Sequence, residues 1–356
     1  MKMKSNLKFF KRSKNLSVDK FFKNVLYDEK YGYYNSKYPF GEKGDFITAP
    51  NISILFSEMI AIWIVSTWES LGKPKKINIV ELGPGDGSLI KTLIDTFKKF
   101  PEFDKSKKIY LYELSKSLKK IQKKRIGNAK VFWTNNFKKL RNGPVIFFGN
   151  EFFDAIPIKQ FKREKNYLME KHYTLRKDCK IIENFKISTK KNSSVINSYK
   201  TLKKLKFIEF PESGFSELRK VIKKISELKG CILLIDYGYF SSQNKNTLQS
   251  VFKHQKNKLL ANLGRADITS HVNFSLLKEF FLKNDLKVEN IISQKEFLKN
   301  MGILSRAEII AKDMKFTDQT NLYLRLKRLL SGRSMGNLFK VFLAHNFKNN
   351  NYSGFN

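Results

Sequence analysis

Short apolar runs and segments with helical periodicity alternate along most of this chain. Residues 18–26 have the spacing of an amphipathic helix, and the apolar stretch 52–68 predicts a helix buried in the core. From residue 77 onward, strand-length apolar runs alternate with helical segments, which predicts a parallel sheet with right-handed crossovers. The predicted strands are 77–82, 109–113, 131–134, 145–149, 232–236 and 286–293. The predicted helices between them are 88–97, 118–124, 215–228 and 274–283.

The pattern changes between Pro157 and Pro211. Three short segments, 158–161, 167–175 and 180–188, are separated there by polar turns. Alternating segments with such turns are typical of hairpins, so they predict an antiparallel insertion after the fourth strand of the sheet.

The first strand leads directly into a glycine-rich turn. Gly83, Gly85 and Gly87 have no Cβ, so the backbone can bend sharply and approach a ligand. The helix that follows directs its first N–H groups toward that ligand. A dinucleotide fingerprint reads G-x-G-x-x-G, but here the third glycine comes one residue early. This spacing is typical of class I methyltransferases that bind S-adenosylmethionine (SAM), with an NAD site and a turn without a ligand as alternatives.

Two acids near this turn suit the chemistry of SAM. Glu81, two residues before Gly83, is placed to help supply an anion for the α-ammonium and sulfonium groups. Glu113 ends the second strand, where the acid of such folds accepts the two ribose hydroxyls. It lies 32 residues after Glu81 rather than about 20, because a lysine-rich stretch at 98–108 lengthens the connection.

Carboxylates also follow the fourth and fifth strands, where an open parallel sheet holds its ligands. Glu151 and Asp154 come after the fourth strand, and Asp236 ends the fifth. Methyltransferases of planar amide or adenine nitrogens usually carry Pro-Pro here, and this chain has none at that point. Two anions would instead hold a guanidinium and receive its proton. In the alternative interpretation, Glu151 and Asp154 cap a following helix and pair with lysines.

Composition narrows the class of partner. The 356 residues are 41% apolar, enough for a large core in one domain with an insertion or in two, and the net charge is +37. Only 11 of the 69 basic residues are Arg and the lysines are scattered, which favours genomic composition over a nucleic-acid interface. Cys179, Cys231 and four dispersed histidines predict neither a disulfide framework nor a metal site. The longest apolar stretch falls short of the ~20 residues of a membrane span.

Five segments, in this order and spacing, resemble the MidA-like methyltransferases. They are G-E-K-G-D-F-I-T-A-P (41–50), E-L-G-P-G-D-G (81–87), N-E-F-F-D-A-I-P (150–157), D-Y-G (236–238) and A-D-I-T-S-H-V-N-F (266–274). That family includes the mitochondrial complex I assembly factor that dimethylates arginine. The resemblance implies SAM as donor and symmetric ω-N dimethylation of a protein arginine. It also implies a role in assembling NADH:quinone oxidoreductase through its core quinone-module subunit.

The motifs and the resemblance together define the expected site. The expected cofactor-binding residues are Gly44, Asp45, Phe46, Glu81, Gly83, Gly85, Gly87, Glu113, Asn135 and Asn150. The expected catalytic residues are Glu151, Asp154, Asp236 and His271. His271 would shuttle a proton or orient a carboxylate, and a purely structural hydrogen bond is the alternative for a lone histidine before a helix.

Three residues depart from the family's pattern. Asn51 stands where A-P-E is usual, which removes a charge near the cofactor loop. Asp86 stands where G-P-G-R-G is usual, so it is either solvated or weakens binding of the SAM carboxylate. Asn273 stands where H-V-D-F is usual and keeps an oxygen that can cap the next helix.

We therefore predict a class I, Rossmann-like α/β methyltransferase fold with a seven-stranded, mostly parallel sheet, an N-terminal helical extension and an antiparallel insertion. The expected divisions are a basic tail (1–16), the extension with a cofactor loop (17–75), a SAM-binding half (76–157), the insertion on the substrate side (158–212), the rest of the core (213–345) and a disordered tail (346–356).

The predicted activity is methylation of a protein arginine, with no metal and no nucleic acid, in the bacterial cytoplasm or, in a eukaryote, in the mitochondrial matrix. A non-catalytic assembly chaperone and an RNA methyltransferase are the alternatives. Intact glycines oppose the first, and carboxylates rather than a basic rim at the acceptor side oppose the second.

Overall fold

A computed structural model describes residues 3–10, 13–36, 48–241, 243–348 and 352–355 of the chain. These residues belong to two compact units. The first unit comprises Met1–Phe46, Phe153–Leu218 and Tyr239–Phe280, and the second comprises Ile47–Phe152, Arg219–Gly238 and Phe281–Asn356. Among the described residues, no helix has the length and apolar character that crossing a membrane requires.

The secondary structure follows the predicted alternation for most of its length. The α-helices are α1 (Val18–Tyr27), α2 (Tyr33–Ser36), α3 (Ala49–Ile52), α4 (Ile54–Ser70), α5 (Ser88–Phe97), α6 (Pro101–Ser106), α7 (Lys116–Ile126), α8 (Lys190–Ser198), α9 (Glu212–Leu228), α10 (Phe274–Leu282), α11 (Gln294–Asn300), α12 (Ile303–Ala311), α13 (Phe316–Leu330) and α14 (Met335–Leu338). The strands are β1 (Asn15–Ser17), β2 (Ile77–Leu82), β3 (Lys107–Tyr112), β4 (Val131–Thr134), β5 (Val145–Asn150), β6 (Lys159–Glu164), β7 (Tyr167–Leu175), β8 (Ile181–Ile187), β9 (Phe207–Phe210), β10 (Gly230–Tyr239), β11 (Gln249–Phe252), β12 (Gln255–Asn257), β13 (Asp267–Thr269), β14 (Val272–Asn273), β15 (Lys287–Val288), β16 (Ile292–Ser293) and β17 (Phe339–His345).

The second unit is built on a sheet whose principal path has seven strands, in the order β15-β17-β10-β5-β2-β3-β4. The pairs from β10 to β4 are parallel, and β17 runs antiparallel to β10. This arrangement confirms the predicted class I fold with a mostly parallel sheet. The chain order reverses between β2 and β5, so the carboxyl ends of these two strands form the point where such sheets bind ligands.

Burial explains why these segments form the core of that unit. All six residues of β2 are buried, as expected for a strand at the centre of a parallel sheet. Helix α5 buries Leu89, Leu93 and Phe97 at four-residue spacing, which turns one apolar stripe inward. Helix α4 begins at Ile54, two residues later than predicted, because the Ser53 side chain accepts a hydrogen bond from the Leu55 N–H and caps it.

The carboxyl-terminal part of the second unit differs most from the sequence-based expectation. The predicted strand 286–293 is two short strands, β15 and β16, which both pair with β17. Strand β17 and helices α11 to α13 are additions to the predicted set. We expected a disordered tail after residue 345, but Phe347 and Tyr352 are buried in the core. Tyr352 packs on the ring of His345 at 4.6 Å between centroids, which anchors this segment.

The first unit contains the antiparallel insertion, as predicted. Its larger sheet has the order β1-β7-β6-β9, with β8 also paired to β7. Strand β1 comes from a segment expected to be mostly tail and pairs antiparallel with β7. The aromatic rings of Phe21 and Tyr173 lie 4.8 Å apart and join helix α1 to that sheet. Helix α8 was not predicted, since Ile196 is its one buried residue.

Candidate functional site

The glycine turn between β2 and α5 has the backbone conformation that the sequence predicts. Gly83, Gly85 and Gly87 have φ angles of 66°, 55° and 81°, a region that residues with a Cβ rarely adopt. A Cβ on Gly83 would lie 3.0 Å from Cδ2 of Phe152, a residue of the same unit. The turn therefore requires glycine both for its conformation and for its close approach to the end of β5.

Asp86 in this turn is neither solvated nor an unbalanced charge. Its Oδ1 accepts a hydrogen bond from the Ser88 N–H at 3.0 Å, so it caps the first turn of α5. Its Oδ2 accepts one from Nη1 of Arg125 at 2.7 Å, and Asp86 is almost fully buried. The departure from the family's pattern is thus compensated by a cation on helix α7.

Glu81, near the end of β2, is a buried acid just before the glycine turn. The residue is 2% exposed, and its Oε2 has no hydrogen-bond partner among the described residues. Burial raises the pKa of the Glu81 carboxyl well above its usual value, and the charges of Asp86 and Glu113 raise it further. A buried acid with a free oxygen is suited to a cationic or hydrogen-bond-donating ligand.

Glu113 lies just beyond β3 and is held by protein donors. Its Oε1 accepts from the Ser115 N–H at 2.7 Å and its Oε2 from Nε2 of Gln122 at 3.0 Å. Burial raises the pKa of Glu113, and these two donors partly oppose that effect. A carboxylate has about four lone-pair sites, so Glu113 keeps capacity for further donors.

Sequence reasoning missed Gln122, which connects these parts. The residue is fully buried on helix α7, and its Nε2 donates to the Gly85 carbonyl at 2.9 Å as well as to Glu113. A signal was available: Gln122 is the polar member of a buried stripe with Leu118 and Ile126, at four-residue spacing. Phe152, which contacts the glycine turn, carried no comparable signal.

The end of β5 leads into Glu151, a residue with an unusual backbone conformation. Glu151 has φ 51°, in the left-handed region, while its N–H donates to the carbonyl of Ile235 at 2.9 Å. Nδ2 of Asn150 donates to Oε1 of Glu151 at 3.1 Å, and Oδ1 of Asn150 is buried with no hydrogen-bond partner among the described residues. Strained conformations of this kind persist where surrounding structure enforces them, often at functional sites.

The helix-capping interpretation of Glu151 and Asp154 is wrong. Residues 151–158, all of which the structure describes, form turns that lead into strand β6, so no helix follows for these acids to cap. Asp236 is buried at the position where β10 passes the end of β5, and its Oδ1 accepts from the Tyr237 N–H.

Asp154 and His271 belong to the first unit. Asp154 is buried, and its carbonyl accepts from the Ser270 N–H at 3.0 Å. His271 lines a small cavity with Phe153, Tyr239 and other residues of that unit, and its N–H donates to Oγ1 of Thr247 at 3.0 Å. Burial lowers the pKa of the His271 imidazole, and the charge of Lys245 lowers it further.

The remaining expected residues are more scattered. Asn135 is exposed after β4 and accepts a hydrogen bond from the Asn136 side chain. Nδ2 of Asn51 donates to Oγ1 of Thr48 in the first turn of α3. Asn273 caps α10 as predicted, since its Oδ1 accepts from the Leu276 N–H at 3.0 Å. Gly44, Asp45 and Phe46 lie outside the described residues.

The residues at the switch point fit SAM on three counts. Glycines form a cradle that a Cβ at position 83 would fill, and the free oxygens of Glu81 and Asn150 can accept hydrogen bonds. Three buried acids, Glu81, Asp86 and Glu113, lie around the turn, and among the described residues Arg125 is ion-paired with Asp86, so Glu81 and Glu113 remain as acceptors for a cation or a hydroxyl. A ligand with an ammonium, a sulfonium and two ribose hydroxyls matches these acceptors.

Comparisons with known proteins agree with this geometry. The family described as "Putative S-adenosyl-L-methionine-dependent methyltransferase" matches residues 59–292, more than half of the chain. "Protein arginine methyltransferase NDUFAF7, mitochondrial" of Xenopus laevis is 29% identical, over 92% of this chain and 80% of that protein. The human protein of the same name is 26% identical, over 92% and 79%.

A solved structure shows the same fold. The crystal structure of a Burkholderia thailandensis protein bound to S-adenosyl-homocysteine has a TM-score of 0.82 and 21% identity, covering 96% of this chain and 90% of that one. The family match covers the glycine turn at the switch point of the sheet. The chain belongs to the MidA-like family of SAM-dependent methyltransferases, and SAM is its methyl donor.

Proposed function

We propose that this enzyme methylates the guanidinium of an arginine in a protein, with two methyl groups added symmetrically to the ω nitrogens. The proposed substrate is a core subunit of the quinone module of respiratory complex I, modified during assembly in the bacterial cytoplasm or the mitochondrial matrix. The observation that carries the choice of acceptor is Glu151, a carboxylate in a strained left-handed conformation at the end of β5. The names of the relatives support the same choice.

The cofactor-side roles follow from the contacts around the glycine turn. When bound, SAM supplies a methyl group on an electrophilic sulfonium. We assign the backbone of Gly83, Gly85 and Gly87 to the cradle, and the free oxygen of Glu81 to the cationic groups. Glu113 accepts the ribose hydroxyls with its remaining lone pairs, and Asn150 accepts a donor of the cofactor through Oδ1. Asn135 is exposed and contributes at most at the rim.

The acceptor-side roles follow from charge. Glu151 pairs with the guanidinium and localises its positive charge away from the nitrogen that forms the new bond to carbon, while the carbon–sulfur bond breaks. That nitrogen then loses a proton, which Glu151 or Asp236 of the second unit accepts.

Methyl transfer to a purified substrate tests this function. The enzyme would be incubated with methyl-labelled SAM and the quinone-module subunit from the same organism, and the label mapped by mass spectrometry. We expect dimethylation of one arginine, with fragment ions that report one methyl on each ω nitrogen, and no label when that arginine is replaced by lysine. Label on RNA, or labelling of the subunit at another residue type, would contradict the proposal. Assembly activity without any transfer would instead favour the chaperone alternative.

A further inference from the structure

The side chain of Gln122 connects two separate parts of the cofactor site. Its Nε2 donates to the carbonyl of Gly85 at 2.9 Å and to Oε2 of Glu113 at 3.0 Å. These acceptors follow different strands, β2 and β3, and lie 28 residues apart in sequence. One buried amide thus spans the glycine turn and the acid expected at the ribose.

The orientation of that amide is locked by a third contact. Nε1 of Trp133, on β4, donates to Oε1 of Gln122 at 2.8 Å. Because an indole N–H can only donate, the amide oxygen must face Trp133 and the nitrogen must face its two acceptors. A flipped amide would set its oxygen against a carbonyl and a carboxylate, which is unfavourable in a buried site.

Close packing holds helix α7 against the turn. A Cβ on Gly87 would lie 3.3 Å from Cα of Gln122, so the glycine at position 87 allows the helix to approach this closely. Gln122 has no exposed surface, and both polar atoms of its side chain are bonded. The contacts are therefore specific and shielded from water.

Gln122 also acts on the charge of Glu113. Burial disfavours the ionised form of that carboxyl, and the Gln122 donor opposes this effect, together with the Ser115 N–H. The other charged groups that bear on this region are Glu81 on β2, which repels Glu113, and Lys119 on α7, which attracts it. Asp86 acts on Glu81 and is paired with Arg125.

We propose that Gln122 is a positioning residue for the cofactor: its amide holds the Gly85 carbonyl and the Glu113 carboxylate in one fixed relation, so that the turn and the ribose-binding acid form a single preformed site. The inference rests on the role proposed for Glu113, and it is independent of the methyl acceptor. Preformed contacts raise affinity because less ordering remains to be done on binding.

Calorimetry on the full-length variant Gln122→Leu tests the proposal, with SAM and S-adenosylhomocysteine as ligands between about pH 5 and about pH 9. We expect both affinities to fall by roughly 10- to 100-fold, equally, since both ligands carry the ribose. The acidic limb of the pH profile should move to higher pH, because loss of the donor makes Glu113 harder to ionise. A purely structural role would not move that limb.

Gln294→Leu is the matched control. Gln294 is equally buried, and its Nε2 donates to the Leu329 carbonyl at 3.0 Å, away from both acceptors of Gln122. This variant should lose stability and keep the affinity and pH profile of the wild type. Glu113→Ala completes the set, because it tests the role of the acid without altering Gln122.

Gln122→Glu keeps the test decisive if the leucine variant does not fold. A glutamic acid here donates to Glu113 only while protonated, so its affinity for SAM should fall as pH rises, opposite to the wild type. If Glu113→Ala binds SAM poorly, two results would overturn the proposal. One is an affinity of Gln122→Glu for SAM that rises with pH, and the other is an affinity of Gln122→Leu within twofold of the wild type. Wild-type affinity in Glu113→Ala would overturn the role of Glu113 and this inference with it, whatever the methyl acceptor is.

Discussion

Arg125 donates through Nη1 to Oδ2 of Asp86 at 2.7 Å, and this pair places a cation of helix α7 against the acid of the glycine turn. Asp86 is buried, whereas the Arg125 side chain is 35% exposed. The two partners therefore differ in what their loss would cost. An exposed guanidinium can return to water, but a buried carboxylate without its cation cannot.

Arg125→Met should accordingly destabilise the protein more than Asp86→Asn does. We expect a loss of about 1–3 kcal/mol for the first, less than for a fully buried pair because Arg125 is partly in solvent. Asp86→Asn keeps an oxygen that can cap α5 and should cost under about 1 kcal/mol. Urea unfolding at neutral pH measures both. Equal losses of unfolding free energy in the two variants would show that the ion pair itself, rather than the uncompensated charge of the buried acid, determines the cost.

Gly85→Val should abolish SAM binding and leave the protein folded. A β-branched residue at φ 55° is strained and adds bulk to the surface that faces the cofactor. Gly302→Val is the matched control, since Gly302 has φ 81° and an added Cβ meets nothing within 4 Å. Calorimetry on both folded variants decides the matter. SAM affinity lost in the control, or retained in Gly85→Val, would rule out the turn as the cradle.

Glu81→Gln should stabilise the ligand-free protein at neutral pH, by about 1–3 kcal/mol. The pKa of Glu81 is raised on folding by burial, Asp86 and Glu113, so folding favours its protonated form. The loss of stability that Glu81 causes is absent below the pKa of a glutamate in the unfolded chain. It grows as pH rises above that value and is complete once pH exceeds the raised pKa of the folded protein. The free energies of unfolding of the variant and the wild type should therefore be similar below about pH 4, and the advantage of the variant should grow as pH rises above it. A constant difference at every pH would refute the electrostatic cause.

The same residue should make SAM binding depend on pH. A bound cation favours the ionised form of Glu81, so binding releases a proton wherever the free protein holds one, and affinity rises with pH until Glu81 is ionised without ligand. Calorimetry in buffers of different ionisation enthalpy measures that proton. In Glu81→Gln the release should shrink to the part contributed by Glu113, whose pKa is also raised by burial.

Glu151→Gln should separate transfer from cofactor binding. The substitution keeps shape and hydrogen bonding but removes the anion proposed for the guanidinium, so SAM affinity should stay within a few-fold while methyl transfer falls by about 10²–10⁴. Glu164→Gln, at the exposed end of β6, is the control and should be neutral. A Glu151→Gln enzyme with near wild-type turnover would remove this residue from the acceptor site.

The core of the cofactor site could be predicted from the sequence because its signals are local. Strand β2 and helix α5 have the predicted bounds, and all three glycines of the turn have positive φ. Hydrophobic periodicity and the need for glycine at positive φ are properties of a few consecutive residues. The same holds for Asn273, whose capping oxygen acts three residues away.

The tertiary structure decided what depends on partners distant in the chain. Asp86 is balanced by Arg125, 39 residues later, and Gln122 joins Gly85 to Trp133 across three strands. Strand β17 enters the sheet beside β10, more than 100 residues earlier in the chain. Such pairings depend on the packing of the whole unit, because most buried polar atoms are hydrogen-bonded and their partners come from any part of the chain that the fold brings close. The sequence therefore determined where the cofactor turn lies and which backbone it needs, while only the fold determined which side chains neutralise and orient it.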